Sequence, residues 1–270
     1  MTQNELTLVV GGTGKTGRRV AQRLTERGVP IRLAARSTEP RFDWDDESTW
    51  APVLDGVTSI YLTYAPDAGF PGAAELIGAF ARRAVDAGAR RIVLLTGRGE
   101  AGAERSEAAV AATGADLTIL RASFFAQNFS EDMLIDQVLA GQVAFPADQV
   151  REPFVDLDDL ADVAVATLTE PGHIGRTYDV TGPELLTFAE AVAEIAAATG
   201  KDIHYHPISG QEMQAGLTEA GLPADFAARL VELFAEVLDG RNATLGDGVH
   251  QVLNRTPRTF STFAKTTFTP

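Results

Sequence analysis

The chain of 270 residues contains no cysteine, and its only lysines are Lys15, Lys201 and Lys265. Without cysteine it can form no disulfide, use no thiol nucleophile and hold no metal through thiolates. Basic charge is scarce as well. The acidic residues number 37 against 23 lysines and arginines, which gives a net charge of −14 and repels a nucleic-acid backbone. We therefore expect no nucleic-acid partner, although an acidic patch for a basic protein remains open.

Long hydrophobic runs are missing too. No apolar stretch approaches the length of about 20 residues that spans a bilayer. The N-terminus also lacks a basic segment followed by an apolar one, so we predict no signal peptide, no membrane contact and a cytoplasmic location. With 45% hydrophobic residues, the chain is long enough for one large domain or for a nucleotide-binding domain with a smaller cap.

The first half of the chain alternates short apolar stretches with helical patterns. We predict strands at 6–10, 31–35, 57–63, 91–95 and 117–120, separated by helices. Near-continuous apolar strands joined by helices are typical of a parallel sheet that is covered on both faces. Right-handed crossovers then give an α/β fold with a doubly wound parallel sheet of the Rossmann type, which binds ligands at the carboxyl ends of its strands.

The second half of the chain does not continue this regular alternation of strands and helices. A single long helix is predicted over 124–140, and shorter helices and extended segments follow. We divide the chain into a nucleotide-binding domain at 1–150 and a smaller α+β substrate-binding region at 151–270. The two are interleaved, because the strand-like segment 176–182 is expected to join the main sheet.

The first strand runs directly into a glycine-rich turn. Gly11, Gly14 and Gly17 follow the spacing GxxGxxG between an apolar strand and a helix start. Glycines at such a turn let backbone N–H groups approach a pyrophosphate at the helix N-terminus, which predicts a dinucleotide site. A P-loop is not predicted, because it needs a glycine five residues before Gly14, where Val9 stands. A glycine-rich turn without any ligand is the remaining alternative.

The end of the second strand selects the cofactor. Arg36 stands where an NAD site carries an acidic side chain for the ribose 2′-hydroxyl, and a guanidinium there suits a 2′-phosphate instead. A solvated loop arginine is the alternative interpretation. We predict NADP(H) as the cofactor, bound by residues of the turn and of the strand ends: Gly11, Thr13, Gly14, Lys15, Thr16, Gly17, Arg36, Thr63, Tyr64, Thr96 and Gly97.

Candidate catalytic and substrate-binding residues follow the third and fifth strands. Tyr64, at the tip of the third strand, is expected in a cleft over the cofactor, although packing on the adenine or on the surface is an equal alternative. Asn128 is polar among apolar neighbours, so it holds a loop backbone or touches a ligand. These two are the candidate catalytic residues. An apolar substrate wall is predicted at Phe124, Phe125 and Phe154.

The acidic and histidine clusters favour structural roles over metal binding. Glu104 and Glu107 stand at a predicted helix start, where the helix dipole favours acidic side chains. The aspartates of 156–162 begin another helix and are expected to cap it. His204 and His206 share one face of a strand, but no third ligand accompanies them. We predict no metal site.

Several of these segments together resemble the NmrA-like branch of the atypical short-chain dehydrogenase/reductases. The matching segments are 9–17, 35–36, 118–121 with Phe125 and Asn128, 153–156 with 159–161, and 178–182. The resemblance covers most of residues 6–200. The tail at 256–260 is similar, less specifically, to that of the ergot-alkaloid festuclavine dehydrogenases.

This resemblance implies NADP binding. In the enzymes of the family it implies reduction of quinones, azo dyes, triphenylmethane dyes or iminium alkaloid intermediates. The family also contains NADP-binding regulators without turnover. We therefore expect an NADPH-dependent reductase, with an NADP-sensing regulator as the alternative. A small apolar or cationic substrate and a monomer or homodimer complete the expectation.

The sequence departs from ordinary short-chain dehydrogenases in one respect that matters for mechanism. Those enzymes use a Tyr-x-x-x-Lys pair, whereas here the residues four positions after the tyrosines are Ala65, Ala68, Gly182 and Ser209. An emerging alkoxide needs a strong acid partner, but a phenolate, with a phenol pKa of about 10, or a neutral amine needs little help. The missing pair therefore favours quinones, conjugated enones and iminium ions over simple ketones.

Overall fold

A parallel sheet of six strands forms the centre of the computed structural model, which describes residues 6–269. Residues 1–5 of the predicted nucleotide-binding domain, and residue 270, lie outside this range. In chain order the strands are β1 (Leu6–Val10), β2 (Ile31–Ala34), β3 (Val57–Leu62), β4 (Arg91–Gly97), β5 (Asp116–Ala122), β6 (Gln142–Phe145), β7 (Arg151–Glu152), β8 (Thr177–Val180), β9 (Leu186–Thr187) and β10 (His204–Pro207).

The order of the central sheet is β2-β1-β3-β4-β5-β8, and every neighbouring pair in it is parallel. The chain passes from β1 to β2 on one side and then crosses to β3 on the other. The two connections diverge at the carboxyl ends of β1 and β3, and this divergence leaves a crevice of the kind in which α/β proteins bind ligands. The predicted doubly wound parallel sheet is confirmed, and the segment 176–182 supplies its sixth strand, β8.

Helices cover both faces of the sheet. They are α1 (Lys15–Glu26), α2 (Trp50–Leu54), α3 (Ala73–Asp86), α4 (Ala101–Ala111), α5 (Ile135–Leu139), α6 (Leu157–Thr169), α7 (Phe188–Thr199), α8 (Gly210–Glu219), α9 (Ala224–Val237), α10 (Gly248–Leu253) and α11 (Phe260–Phe268). On one face α1 packs against α6, and on the other α3 packs against α4. Within residues 6–269, no helix has both the length and the apolar composition that crossing a bilayer requires.

The strands alternate between two cores. In β1, Leu8 and Val10 pack in the core with α3, whereas Val9 packs in the core with α1 and α6. Successive side chains of a strand point to opposite faces, so a sheet with helices on both faces needs apolar residues at every position. This requirement explains why the strand segments read as continuous apolar runs in the sequence.

A third core lies beside the sheet and is rich in phenylalanine. Its buried aromatic members come from distant parts of the second half: Phe129, Phe145, Phe154, Phe188, Phe234, Phe260 and Phe263. The rings of Phe145 and Phe188 stack with centroids 4.9 Å apart. Two small sheets border this core, a parallel pair of β6 with β10 and an antiparallel pair of β7 with β9. The phenylalanine pairs of this third core bury large areas and add specific stacked and edge-to-face contacts.

The prediction of one helix over 124–140 is wrong. The segment contains only a 3₁₀ turn at Ala126–Phe129 and the short helix α5. Its backbone is bound elsewhere, since the Val155 amide donates to the Phe124 carbonyl at 3.0 Å and the Ala126 amide donates to the Val155 carbonyl at 2.9 Å. These bonds to a segment some thirty residues away occupy groups that a continuous helix would need.

The aspartates of 156–162 cap α6 and also tie the C-terminal segment to it. Asp156 caps the helix by accepting a hydrogen bond from the Asp158 amide. Asp159 is fully buried and pairs with the guanidinium groups of Arg255, at 2.7 Å, and Arg258. The Arg258 amide also donates to this carboxylate at 2.6 Å. The buried carboxylate therefore holds the segment that leads into α11.

We predict that Asp159→Ala lowers the free energy of unfolding by about 3 kcal/mol, because breaking a buried ion pair leaves its partners uncompensated. Chemical denaturation followed by circular dichroism measures the change. Asp158→Ala is the matched control one position earlier. Its side chain is 43% exposed and pairs with Arg23, so it should cost no more than about 1 kcal/mol. Equal losses in the two variants would contradict the anchoring role of Asp159.

Candidate functional site

Residues 11–17, which we call the glycine loop, comprise the turn after β1 and the first residues of α1, and they leave no room for a side chain at Gly17. A Cβ atom on Gly17 would lie 2.2 Å from the carbonyl oxygen of Gly11, and Gly11 itself has a φ of +67°. The Gly14 amide closes the turn by donating to the same Gly11 carbonyl at 2.8 Å. The turn therefore brings the first backbone amides of α1 to the edge of the sheet, where they can bind a phosphate group.

A cavity of about 400 Å³, which we call the central cavity, opens beside this loop over the carboxyl ends of the strands. The structure brings most of the predicted site residues to its wall: Gly11, Gly14, Lys15, Thr16, Thr63, Tyr64, Thr96, Gly97, Phe124, Phe125 and Asn128. Residues that follow β1, β3 and β5 thus meet residues at the end of β4 around one space. Such a convergence is what a dinucleotide and its reaction partner require.

Four predicted residues lie outside the wall of the central cavity. Thr13 and Arg36 are exposed beyond it, and Gly17 is buried against Gly11. Phe154 is only 3% exposed and packs in the third core, 5.8 Å from the ring of Phe124 between centroids. The structure therefore places Phe154 behind the aromatic wall, where it supports Phe124.

Lys15 connects the glycine loop to the segment after β5. Its ammonium donates to the Asn128 side-chain oxygen at 2.6 Å and pairs with Asp132. The same ammonium lies over the ring of Phe125, 5.8 Å from its centroid. Asn128 is buried, so its amide has a defined position in the cavity wall. The chain thus holds a cation and a polar side chain together at the mouth of the glycine loop.

The central cavity also contains carboxyl groups that were not predicted from the sequence. Glu100 and Glu152 both line it and are 7% and 2% exposed, and Asp67 lines it as well. Burial, followed by the neighbouring Asp67 carboxylate, raises the pKa of Glu100 to about 9. Burial also raises the pKa of Glu152 to about 7, although the Arg98 guanidinium opposes the shift. Nothing in their local sequence distinguishes these glutamates from surface residues.

One helix of the second half completes the cavity wall with apolar side chains. α9 contributes Leu230, Leu233, Phe234 and Val237, which recur at the spacing of one helical face. The spacing identifies an apolar face but not its partner, so the sequence analysis could not assign it to the cavity. Polar side chains of the sheet edge therefore stand opposite an apolar wall.

The comparisons with known proteins agree with this architecture. No family model matches the chain. It is 32% identical to an uncharacterized oxidoreductase, YesF, of Bacillus subtilis (strain 168), over 98% of this chain and 95% of the relative. It is 30% identical to an NAD(P)H azoreductase of Xenophilus azovorans, over 96% of each protein.

A solved structure has a similar fold. An NADPH-dependent quinone oxidoreductase from Escherichia coli, complexed with NADPH, superposes with a TM-score of 0.81 at 20% identity, covering 97% of this chain and 99% of that one. At this identity the likeness concerns the fold alone. The full-length relatives, together with the motifs at 9–17 and 118–128, decide the family. The chain belongs to the NmrA-like family of atypical short-chain dehydrogenase/reductases.

In this NmrA-like chain, the tyrosine and the lysine that reach the central cavity come from different elements. Tyr64 is the one tyrosine of the described chain on the wall of the central cavity, where its ring packs 5.0 Å from that of Trp44. Burial raises the pKa of the Tyr64 phenol above its usual value, and nearby Asp45 adds to the effect. Tyr61, in β3, is fully buried in the core with α1 and α6. The lysine of the cavity, Lys15, comes from the glycine loop.

The interpretation of Glu107 as a helix-start residue needs correction. Glu107 lies in the middle of α4, is 5% exposed, and accepts a hydrogen bond from the Thr96 hydroxyl at 2.8 Å. The Arg121 guanidinium donates to the same carboxylate at 2.9 Å. Glu107 thus fixes the end of β4 to the end of β5, whereas Glu104 does stand in the first turn of α4.

We predict that Gly17→Ala weakens NADPH binding by at least about 10-fold, since the added Cβ forces α1 away from the glycine loop and displaces its amides. Isothermal titration calorimetry measures the affinity. Gly216→Ala is the control, because Gly216 lies in α8 with nothing within 4 Å of an added Cβ. Unchanged NADPH affinity in a folded Gly17→Ala protein would refute the assignment of the loop.

Proposed function

We propose that this protein is an NADPH-dependent reductase that passes a hydride to a conjugated or cationic apolar acceptor. It is an NADP(H)-dependent oxidoreductase of its family. The observation that carries the finer proposal is the central cavity, which joins the glycine loop to the aromatic wall of Phe124 and Phe125. Cofactor and acceptor would share this space, with water kept out by the apolar face of α9.

The residues present fit the cofactor in two respects. The tight contact between Gly11 and Gly17 frees the amides at the start of α1 for the pyrophosphate, and Lys15 adds a positive charge beside them. Thr63, Tyr64, Thr96 and Gly97 lie on the cavity wall and would hold the nicotinamide half. The cofactor supplies the hydride, and the chain contributes position and a dry, shaped cavity.

The chemistry of the cavity wall supports the acceptor class. Aromatic faces suit flat molecules and cations, and the net charge of −14 favours a cation over an anion. The wall lacks a Tyr-x-x-x-Lys pair, so an acceptor whose reduced form is a phenolate or a neutral amine fits best. The azoreductase and quinone oxidoreductase among the similar proteins carry names that accord with this class.

The first test concerns cofactor choice. Arg36 is exposed after β2, free to reach a 2′-phosphate with a charge-assisted contact of roughly 1.5–3 kcal/mol. We predict at least ~10-fold tighter binding of NADPH than of NADH. Arg36→Ala should erase most of this preference and leave NADH affinity nearly unchanged, as measured by calorimetry. Arg41→Ala, which removes an exposed arginine paired with Asp43, is the control. Equal affinities for both cofactors in the unmodified protein would rule out the role of Arg36.

The second test concerns the acceptor and Tyr64. Steady-state NADPH oxidation across quinones, enones, iminium salts and dyes should show turnover, and iminium or quinone acceptors should react much faster than unconjugated ketones. For an iminium acceptor, Tyr64→Phe should lower kcat by less than ~10-fold, because this acceptor becomes a neutral amine without gaining a proton. Removing a true general acid typically costs more than that. A larger loss would make Tyr64 an acid. Tight NADPH binding without turnover of any acceptor would favour an NADP-sensing regulator instead.

A further inference from the structure

The carboxyl group of Glu100 occupies space that two glycines leave free. Glu100 precedes α4, just after the end of β4. A Cβ on Gly97 would lie 1.6 Å from one oxygen of this carboxyl, and a Cβ on Gly69 would lie 2.8 Å from the other. The side chain is 7% exposed and lines the central cavity. It is thus built into the cavity at the end of β4, beside Thr96 and Gly97.

The Glu100 carboxyl is poorly paired for a buried group. Its Oε2 atom accepts no hydrogen bond from the described residues, and the Asp67 carboxylate is close enough to hydrogen-bond with the carboxyl when Glu100 carries the proton. A buried polar oxygen without a partner costs free energy, so such a group in a native site points to a ligand or to a reactive role. The arginine that could neutralise it, Arg98, is bound instead to Asp179 and to the backbone carbonyls of Asn242 and Thr244.

The charges facing Glu100 are mostly negative. Asp67 comes from the loop after β3, Glu107 from α4 and Glu236 from α9. Glu107 is neutralised by Arg121, and Glu236 by Arg241 at 3.1 Å, so Asp67 is the facing carboxylate without an arginine partner in the described chain. Burial and this like-charge neighbour keep a proton on Glu100 at neutral pH, since they raise its pKa to about 9.

We propose that Glu100 is the proton donor of the reduction, placed beside Gly97 to protonate the acceptor atom on which negative charge develops. The inference rests on the proposed function and revises one expectation within it: quinones, enones and azo compounds gain a proton on reduction, and an acid of this chain would accelerate that step even though the Tyr-x-x-x-Lys pair is missing.

The balance of the step is simple. The acceptor gains two electrons and one hydrogen as hydride from NADPH, which is oxidised to NADP⁺. The O–H bond of Glu100 breaks, and its proton forms the new O–H, C–H or N–H bond on the reduced acceptor. The Glu100 carboxylate that remains regains a proton from solvent, and the neighbouring Asp67 carboxylate favours this return. An iminium ion becomes a neutral amine on gaining hydride and needs no such proton.

Two other cavity groups fit this role less well. Tyr64 packs against Trp44, and the shift of its pKa makes the phenol a weaker acid than usual. Glu152 comes from β7, which belongs to a small sheet outside the central one. Glu100 alone among them directly follows β4, at the strand end where the nicotinamide is proposed to lie.

The closing experiment compares Glu100→Gln with the unmodified protein on a quinone and on an iminium cation. Glutamine keeps the shape of the side chain but has no acidic proton to transfer. We expect kcat for the quinone to fall by about 100-fold, at the lower end of general acid catalysis, and kcat for the iminium cation to change by less than about threefold. Affinity for NADPH should stay unchanged by calorimetry. Glu104→Gln, in the first turn of α4 with a side chain that is 62% exposed, is the control.

The pH profile gives a readout that a purely structural role would not move. With the quinone, kcat of the unmodified protein should fall as pH rises through about 9, because the donor loses its proton there. Glu100→Gln should lose this fall.

Three outcomes would overturn the inference. Equal quinone turnover by Glu100→Gln and the unmodified protein would mean that solvent supplies the proton. A raised KM for the iminium cation, with unchanged quinone turnover, would make Glu100 an ionised cation-binding group. If the unmodified protein binds NADPH but reduces no acceptor, the proposed function itself fails and the donor role fails with it.

Discussion

The contact between Gly11 and Gly17 is the constraint on which the site depends. A Cβ on Gly17 would approach the Gly11 oxygen to 2.2 Å, so the helix α1 can lie this close to β1 only with glycine there. The helix is then oriented with its arginines towards the second half of the chain. Arg23 binds Asp158 at 2.8 Å and Asp162 at 2.6 Å, and Arg19 pairs with Glu131. One close approach thus positions both the amides at the start of α1 and the arginines that bind Glu131, Asp158 and Asp162.

The two halves of the chain contribute different chemistry to the central cavity. The sheet edge supplies threonines, Tyr64 and the carboxyl groups of Asp67 and Glu100, whereas α9 supplies aliphatic and aromatic side chains. A flat acceptor bound between them would meet polar groups on one side and a dry surface on the other. Electrostatic interactions strengthen in such a water-poor space, so a few charged groups have a large effect on which acceptor is favoured.

Local patterns made much of the fold predictable. The β-branched run before the glycine loop, the alternation of strands and helices, and the segment that becomes β8 depend on near neighbours in sequence, and the structure confirms them. Most of the predicted cofactor residues meet at the cavity because parallel strands bring their carboxyl ends together. The placement of Phe154 and of the segment 124–140 depended on contacts with residues far along the chain, such as the bridge between Phe125 and Val155. The position of Glu100 likewise depends on Gly69, in the loop after β3, and on Gly97, at the end of β4.

Lys15 has a consequence for how the cofactor binds. Its ammonium is already bound to Asn128 and Asp132, so a pyrophosphate that binds this lysine would compete for it with the Asp132 carboxylate. Cofactor binding would then replace the Asp132 carboxylate by a phosphate group at Lys15, so the affinity would reflect the difference in free energy between these two ion pairs. The freed Asp132 would lie near the bound phosphates and repel them. Cofactor binding would then cost the segment 126–132 one of the contacts that hold it to the glycine loop.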